Sequence, residues 1–297
     1  MPQFKPITVE DKSLVEKHIC ACFGTTESAF LDLFIWGERY NTSVAFEDGF
    51  MFVRTGSGEN IAYLFPCGDG DLRRAILTLR DDAEKNGVPF RMVGVCTCAC
   101  KRLESTFPGR FSFSETRDSF DYVYTSQSLI ELAGKKLHSK RTNINKFMAE
   151  YGERYVFEEI NASNLDEVYA FQRKWLESNI NDENRASLNA EMAAISRAFK
   201  NYEVLGIRGG LIRIDGEVAA YSLGVPIDDE YYLVSVEKGD ISYPGIYQVI
   251  NKLYATHFCA GFKYVNREED MGEEGLRRAK LSYRPEFLIE KYEVLEK

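Results

Sequence analysis

A chain of 297 residues, 44% hydrophobic and 28% charged, has enough apolar surface for one large domain or two medium ones, in the proportions of an ordinary globular protein. Its net charge of −9, from 37 basic and 46 acidic residues, argues against non-specific polyanion binding by the chain as a whole but leaves room for a local basic face. The opening MPQFKPITVEDKS has no apolar core behind a basic segment, and no run approaches the roughly 18 apolar residues that span a bilayer, so a cytoplasmic location is expected.

Residues 10–40 read as helical and aromatic, with Leu31, Phe34, Ile35 and Trp36 too crowded for a clean stripe. Residues 42–46 and 50–54 flank Asp48-Gly49, a hairpin signal because glycine accepts the positive φ of a tight turn. A short strand over 60–65 is followed by a Gly-containing loop from Pro66. Leu72, Ile76, Leu79 and Ala83 then suit a helix ending near Asn86-Gly87, and 91–95 reads as a buried strand. Two further strands, 111–113 and 122–124, bracket a charged region.

The seven cysteines, Cys20, Cys22, Cys67, Cys96, Cys98, Cys100 and Cys259, are odd in number and default to reduced thiols. A metal site would want Cys-x-x-Cys pairs and a second ligand group. The alternating Cys96, Cys98 and Cys100 instead read as small core residues, and no metal is expected.

Ser128-Leu-Ile-Glu131 has the form of a capping box. The helix expected from it holds Lys135, Lys136, Lys140, Arg141 and Lys146, the densest basic segment of the chain, with Asn143 and Asn145 among them. A solvated helix face and a phosphate-contact face both fit this run. A second box, Ser163 to Asp166, precedes a helix carrying Val168, Tyr169, Trp175 and Leu176. Residues 179–187 read as a polar loop, before a short helix at Met192, Ile195 and Phe199.

Asp215-Gly216 between two apolar runs signals another hairpin, and 231–236 suits a largely buried strand. The chain breaks at Gly239-Asp240 and restarts at Ser242-Tyr243-Pro244-Gly245, where Ser242 can cap a helix and Pro244 fits its first turn. Ile246, Val249, Ile250, Leu253 and Tyr254 recur at helical spacing. Strand, polar turn and helix in this order aim free backbone N–H groups at an anion over the turn. A strand at 264–265, a helix over 273–281 and one closing strand over 287–295 complete the chain; Arg277, Arg278, Lys280 and Arg284 form a second basic cluster. Each half thus holds a hairpin, a strand, a Gly-containing loop, a helix and another strand, which suggests duplication.

GKKLHSKRTNINKF, YLVSVEKGDISYPGIYQVINKLYATHF and EEDMGEEGLRRAKLSYRPEFLIEKYEV, in this order, resemble a bacterial family related to the C-terminal domain of phosphatidylglycerol lysyltransferases. The resemblance covers nearly the whole chain. It implies an α/β (α+β) fold of two tandem GCN5-related, acyl-CoA N-acyltransferase-like domains, each a mixed, mostly antiparallel sheet flanked by helices, akin to Fem-type aminoacyl transferases. The expected boundaries are 1–125, an interdomain basic helix over 126–152, and 153–297 with the active groove.

The resemblance also implies that an aminoacyl-tRNA donates its amino acid to an acceptor, which makes tRNA the expected donor and partner. Acyl-CoA is the alternative donor, and a non-catalytic RNA- or protein-binding relative the third reading. Acetyl-CoA-dependent members carry Gln/Arg-x-x-Gly-x-Gly/Ala after the central strand; Asp240-Ile-Ser-Tyr-Pro-Gly245 stands there instead. The lysyltransferases carry a membrane-spanning portion with no counterpart in these residues, so the acceptor, whether small molecule, peptide or lipid, stays open.

By analogy Ser235, Val236 and Glu237 lie at the reacting centre. Glu237, the one carboxylate of its strand, is the candidate base or ammonium ligand, or else an exposed strand end. Tyr243 is the candidate general acid and Tyr247 a further site residue, against a core role for either tyrosine. Lys140, Arg141 and Asn143 on the basic helix, Lys238, Gly245 and Asn251 around the turn, and Lys280 and Arg284 near the end are the remaining candidate substrate-binding residues. His18, His138 and His257 share no motif. GxGxxG, GxSxG and HExxH are absent, which argues against a dehydrogenase, a serine hydrolase or a zincin.

Overall fold

The computed structural model describes residues 2–19 and 24–297. The first compact unit comprises Met1–Asp121, Glu269–Glu274 and Leu288–Lys297; the second comprises Tyr122–Glu268 and Gly275–Phe287. These replace the contiguous segments 1–125, 126–152 and 153–297 expected from the sequence. The basic helix belongs to the second unit, and the last strand to the first.

The first unit opens with β1 (Lys5–Pro6), α1 (Lys12–His18) and α2 (Phe30–Ile35), shorter than the long helical stretch expected. Cys20 and Cys22 lie outside the described residues. β2 (Ser43–Glu47) and β3 (Phe50–Thr55) form the Asp48-Gly49 hairpin, and β4 (Ala62–Tyr63) and β5 (Cys67–Gly68) pair with β3. Asp71 caps α3 (Leu72–Lys85) by accepting the N–H groups of Arg73 and Arg74, and Ala75, Ile76, Leu79 and Ala83 make its buried stripe.

β6 (Arg91–Cys96) leads into α4 (Thr97–Thr106). The cysteine triplet therefore straddles a strand end and a helix rather than alternating along one strand. Cys96 is buried and Cys98 exposed, a correction to the reading of three core thiols. β7 (Phe111–Glu115) and β8 (Asp121–Thr125) follow.

In the second unit, Thr125 rather than Ser128 caps α5 (Ser126–Glu131), its hydroxyl accepting the Ser128 N–H. That helix stops at Leu132, which is left-handed at φ 50°, so the basic run forms a separate helix, α6 (His138–Tyr151). β9 (Tyr155–Glu159) precedes α7 (Leu165–Asn179), whose start is organised by Asn164 and Asn161 and not by a Ser163 box. α8 (Arg185–Lys200) and α9 (Tyr202–Leu205) pack before the hairpin of β10 (Arg208–Ile214) and β11 (Glu217–Pro226).

β12 (Tyr231–Gly239) follows, then α10 (Ile246–Tyr254), β13 (Tyr264–Asn266) and α11 (Glu274–Ser282). The expected closing strand is two: β14 (Phe287–Ile289) in one sheet and β15 (Lys291–Glu296) in the other.

The first sheet runs β1-β2-β3-β4-β6-β15-β7 with β5 beside β3; the second runs β14-β8-β13-β12-β11-β10-β9. Each contains a parallel pair in a largely antiparallel sheet: β4 with β6, and β12 with β13. In the first unit, fully buried Lys291 contacts Asp121 at 2.8 Å, Glu27 at 2.9 Å and the Thr26 hydroxyl at 2.8 Å. Burial raises the pKa of neighbouring Glu269; Asp121 and Glu27 add to that rise, and Lys291 opposes it.

Candidate functional site

The second sheet opens where its parallel strands part. β12 and β13 are in register only over Tyr231–Leu233 and Tyr264–Asn266, after which β12 continues alone to Gly239. On its other side β12 keeps pairing with β11, with a register shift that leaves Ser235 as the extra residue between Val234 and Val236. Glu237 and Arg267 follow directly beyond this divergence.

Glu237 is not an isolated carboxylate. Its Oε1 accepts from Arg267 Nη2 at 3.0 Å and its Oε2 from Asn251 Nδ2 at 3.2 Å, with the carboxylate side chain only 14% exposed. Asn251 is buried on the inner face of α10, which explains how a helix residue reaches the strand. The guanidinium of Arg267 lies 5.0 Å from the Tyr283 ring centroid and 5.7 Å from that of Tyr124. Lys280 points inward and donates to the Arg267 carbonyl at 2.6 Å. Arg267 was not among the expected site residues. The Asn-Arg-Glu-Glu-Asp run gave no sign of which charge turns inward.

Other candidates disperse. Lys238 lies on the opposite face of β12, donating to both oxygens of Glu191 at 2.8 Å and sitting 4.0 Å over the Trp175 ring. Arg141 donates to the carbonyls of Leu132 and Gly134, fastening the break between α5 and α6. Asn143 is exposed, and its carbonyl lies 2.7 Å from where a Cβ on Gly245 would stand. Tyr243 packs edge-on to Tyr151 at 5.4 Å, and Tyr247 is half-buried with its pKa raised by burial. Arg284 is exposed and left-handed at φ 59°.

Lys140 reaches Ser282 Oγ at 2.6 Å and lies 4.1 Å over the Tyr283 ring, which brings it to the Arg267 cluster. Burial, then the charge of Arg267, lowers its pKa. Lys140, Ser235, Glu237, Asn251 and Lys280 thus gather around the divergence with Arg267.

Four N–H groups of the turn before α10 are taken by the protein itself. Asp240 N–H bonds Ala219 O, Ser242 N–H bonds the Asp240 carboxylate, Tyr243 N–H bonds Asp240 O and Ile246 N–H bonds Tyr243 O. Ser242 and Pro244 stand outside the helix, which begins after Gly245 at φ 93°. Asp240, turned onto Ser242, is a fixed negative charge at that corner. A cleft of about 230 Å³ in the first unit, lined by Glu47, Asp48, Asp71 and Arg74, contains none of the expected residues and is bridged by Arg74 and Asp48 at 2.9 Å. Among the described residues no helix is long and apolar enough to cross a membrane.

Residues 23–295 match the family described as phosphatidylglycerol lysyltransferase, C-terminal. A solved conserved protein of unknown function from Bacteroides thetaiotaomicron is 36% identical, covers 100% of both chains and superposes with a TM-score of 0.95. The C-terminal domain of a candidate lysylphosphatidylglycerol synthetase from Agrobacterium fabrum shares the fold at 14% identity and TM-score 0.68, over 98% of this chain and 92% of that one. A tandem GNAT protein of clavulanic acid biosynthesis shares it at 9% identity and TM-score 0.51, over 100% and 98%. An uncharacterised protein of Mycoplasmoides gallisepticum is 27% identical over 185 residues, which span 59% of this chain and 55% of that protein's length. The fold is therefore that of tandem GCN5-related acyltransferases, as the sequence resemblance implied.

Proposed function

The chain belongs to the phosphatidylglycerol lysyltransferase C-terminal family, an acyltransferase-type family, and from that premise we propose that it moves an aminoacyl group from an aminoacyl-tRNA to an acceptor where β12 and β13 part. The observation that carries this reading is the convergence of Glu237, Arg267, Asn251 and Lys140 beside the irregular strand segment around Ser235. In the reaction the acceptor's amine or hydroxyl attacks the ester carbonyl and gives up its proton. The tetrahedral adduct then collapses, and the terminal ribose hydroxyl of the tRNA leaves, taking a proton.

Backbone from Ser235 to Glu237 is the candidate support for the developing oxyanion. Glu237, engaged on both oxygens, serves here to hold Arg267 in place rather than as a free base. Exposed Lys135, Lys136 and Lys146 remain for the donor's phosphates. Acyl-CoA fits less well, because the Asp240 carboxylate, held by the Ser242 N–H, puts a negative charge at the turn before α10.

The test is a charged-tRNA assay. The protein is incubated with labelled aminoacyl-tRNA and candidate acceptors, and label moving from tRNA into acid-stable product is followed. Transfer above the spontaneous rate is expected. Binding without transfer would identify a non-catalytic relative, and no binding to any charged tRNA at low salt would overturn the reading.

A further inference from the structure

We propose that the buried cluster around Lys291 works as a charge-gated clasp, holding β15 in the first sheet while two carboxylates face its ammonium and loosening when a third ionises. The clasp lies within the first unit and stands apart from the transferase reading.

The first unit is assembled from three separate stretches, Met1–Asp121, Glu269–Glu274 and Leu288–Lys297. The cluster draws on every one of them. Lys291 Nζ donates to Thr26 Oγ1 at 2.8 Å and reaches Asp121 at 2.8 Å and Glu27 at 2.9 Å, which uses all three of its N–H groups. Asp121 also accepts the Thr26 N–H at 3.0 Å. Glu269, from the middle stretch, is close enough for its charge to act on Lys291. The Lys291 and Asp121 side chains are 1% and 0% exposed, so salt screens this pair little.

Little else anchors the side chains of β15. Of residues 291–296 only Lys291 and Val294 are buried, although the strand lies inside the sheet, between β6 and β7. A lone valine is a small apolar anchor for an interior strand. The ion pairs of Glu293 with Arg91 and of Glu296 with Arg110 are partly exposed and hold weakly. Among the described residues β7 pairs with β15 alone, so loosening β15 loosens β7 as well.

Charge sets the state of the clasp. One ammonium facing two carboxylates leaves one negative charge in excess; ionised Glu269 makes the excess two, in a place where unbalanced charge is costly. Burial raises the Glu269 pKa, with Lys291 opposing and Asp121 and Glu27 adding to the rise. Burial works against the Lys291 ammonium too, but Asp121, Glu27 and Glu269 outweigh it and keep it charged. No neighbour supplies the balance. The Cys96 thiol, opposite Lys291 on β6, is pushed up to about 11 by burial and stays neutral. Arg117, on the turn before β8, is paired with Asp270 at 3.2 Å. Protonated Glu269 therefore stabilises the closed clasp in full below its ordinary 4.5, and that stabilisation is lost as pH climbs through the raised folded value.

The test is hydrogen exchange on the full chain from pH 5 to pH 8, read by mass spectrometry on peptides from β7 and β15 and, for comparison, from β11 and β12. Each rate is divided by that of the same peptide in the unfolded chain at the same pH, which removes intrinsic base catalysis. Protection of β7 and β15 is expected to fall several-fold across this range in the wild type and in the exposed-pair control Arg91→Met, while β11 and β12 hold theirs. In Glu269→Gln, which keeps the shape and carries no charge, protection at pH 8 should equal that at pH 5.

Lys291→Met should lower protection of β7 and β15 roughly tenfold or more at neutral pH, again without loss in β11 and β12, because its carboxylates are left buried and unpaired. Should that variant fail to fold, Glu269→Gln still decides. A wild-type profile without pH dependence, a fall that persists in Glu269→Gln, or a fall shared equally by β11 and β12 would overturn the clasp.

Discussion

Glu237 on β12 and Arg267 just beyond β13 meet at 3.0 Å, with side chains 14% and 12% exposed, at the point where their strands separate. The pair spans the opening that a continuous parallel ladder would have closed with backbone hydrogen bonds. Removing one member leaves the other charged and poorly solvated, which for buried pairs costs about 3–5 kcal/mol. Glu237→Ala is therefore expected to lower unfolding stability by about 3 kcal/mol in urea titrations. The double variant Glu237→Ala/Arg267→Met should recover part of that loss, since no charge is then stranded. Strict additivity of the two single changes would show that the ion pair contributes nothing.

Much of the architecture was legible because it depends on local signals. Both Asp-Gly hairpins, the α3 stripe and the α10 stripe follow from turn chemistry and periodicity alone. Capping follows other residues where several candidates stand together: Thr125 takes the role expected of Ser128, and at α7 the Asn164 side chain accepts the Asn161 N–H ahead of the helix in place of a Ser163 box. The split of the last residues into β14 and β15 was hidden, since one apolar run serves either sheet equally well. In the site, Glu237 could be found as the one carboxylate of its strand, but Arg267 could not, because its inward turn is set by long-range pairing with that same Glu.

Glu269 makes stability in the first unit depend on pH. Burial, reinforced by Asp121 and Glu27 and opposed by Lys291, raises its folded pKa above the ordinary 4.5. As pH rises through that value the unfolded chain loses the proton first, so the stabilising contribution of protonated Glu269 is complete below it and falls as pH climbs toward the raised folded value. Glu269→Gln should remove this dependence. The difference in Tm between Glu269→Gln and wild type is expected to grow from pH 4 toward neutrality, and parallel Tm profiles would contradict the assignment.

Gly245 and Gly216 separate backbone strain from collision. Both have positive φ, 93° and 90°, so alanine is strained at either position, at about 1 kcal/mol or more. Only at Gly245 would the new Cβ meet another atom closely, Asn143 O at 2.7 Å; at Gly216 nothing lies within 4 Å. Gly245→Ala should therefore lower Tm clearly more than Gly216→Ala. Equal losses would mean that α6 shifts freely away from α10.

Thiol reactivity should follow the environment and not the sequence spacing. Cys98 is exposed, while burial pushes Cys96 up to about 11 and Cys100 and Cys259 up to about 12. Under native conditions at pH 8, iodoacetamide followed by peptide mapping should modify Cys98 well before these three, with Cys96, Cys100 and Cys259 reacting only on unfolding. Early labelling of Cys96 or Cys100 would show that the end of β6 opens in solution.

Exposed Lys135, Lys136 and Lys146 provide the last test, because they are the basic residues of that segment left to solvent once Arg141 and Lys140 have taken protein partners. If tRNA phosphates displace counterions there, the logarithm of the association constant falls linearly with the logarithm of salt concentration, by about one unit of slope for each contact. Lys136→Glu should flatten that slope and weaken binding at low salt without changing Tm by more than a few degrees, since an exposed side chain contributes little to folding. Arg141→Met should do the opposite, lowering Tm because two backbone carbonyls lose their donor. A salt slope that stays the same in Lys136→Glu, Lys135→Glu and Lys146→Glu would remove the basic segment from the donor-binding surface and return it to a solvated helix face.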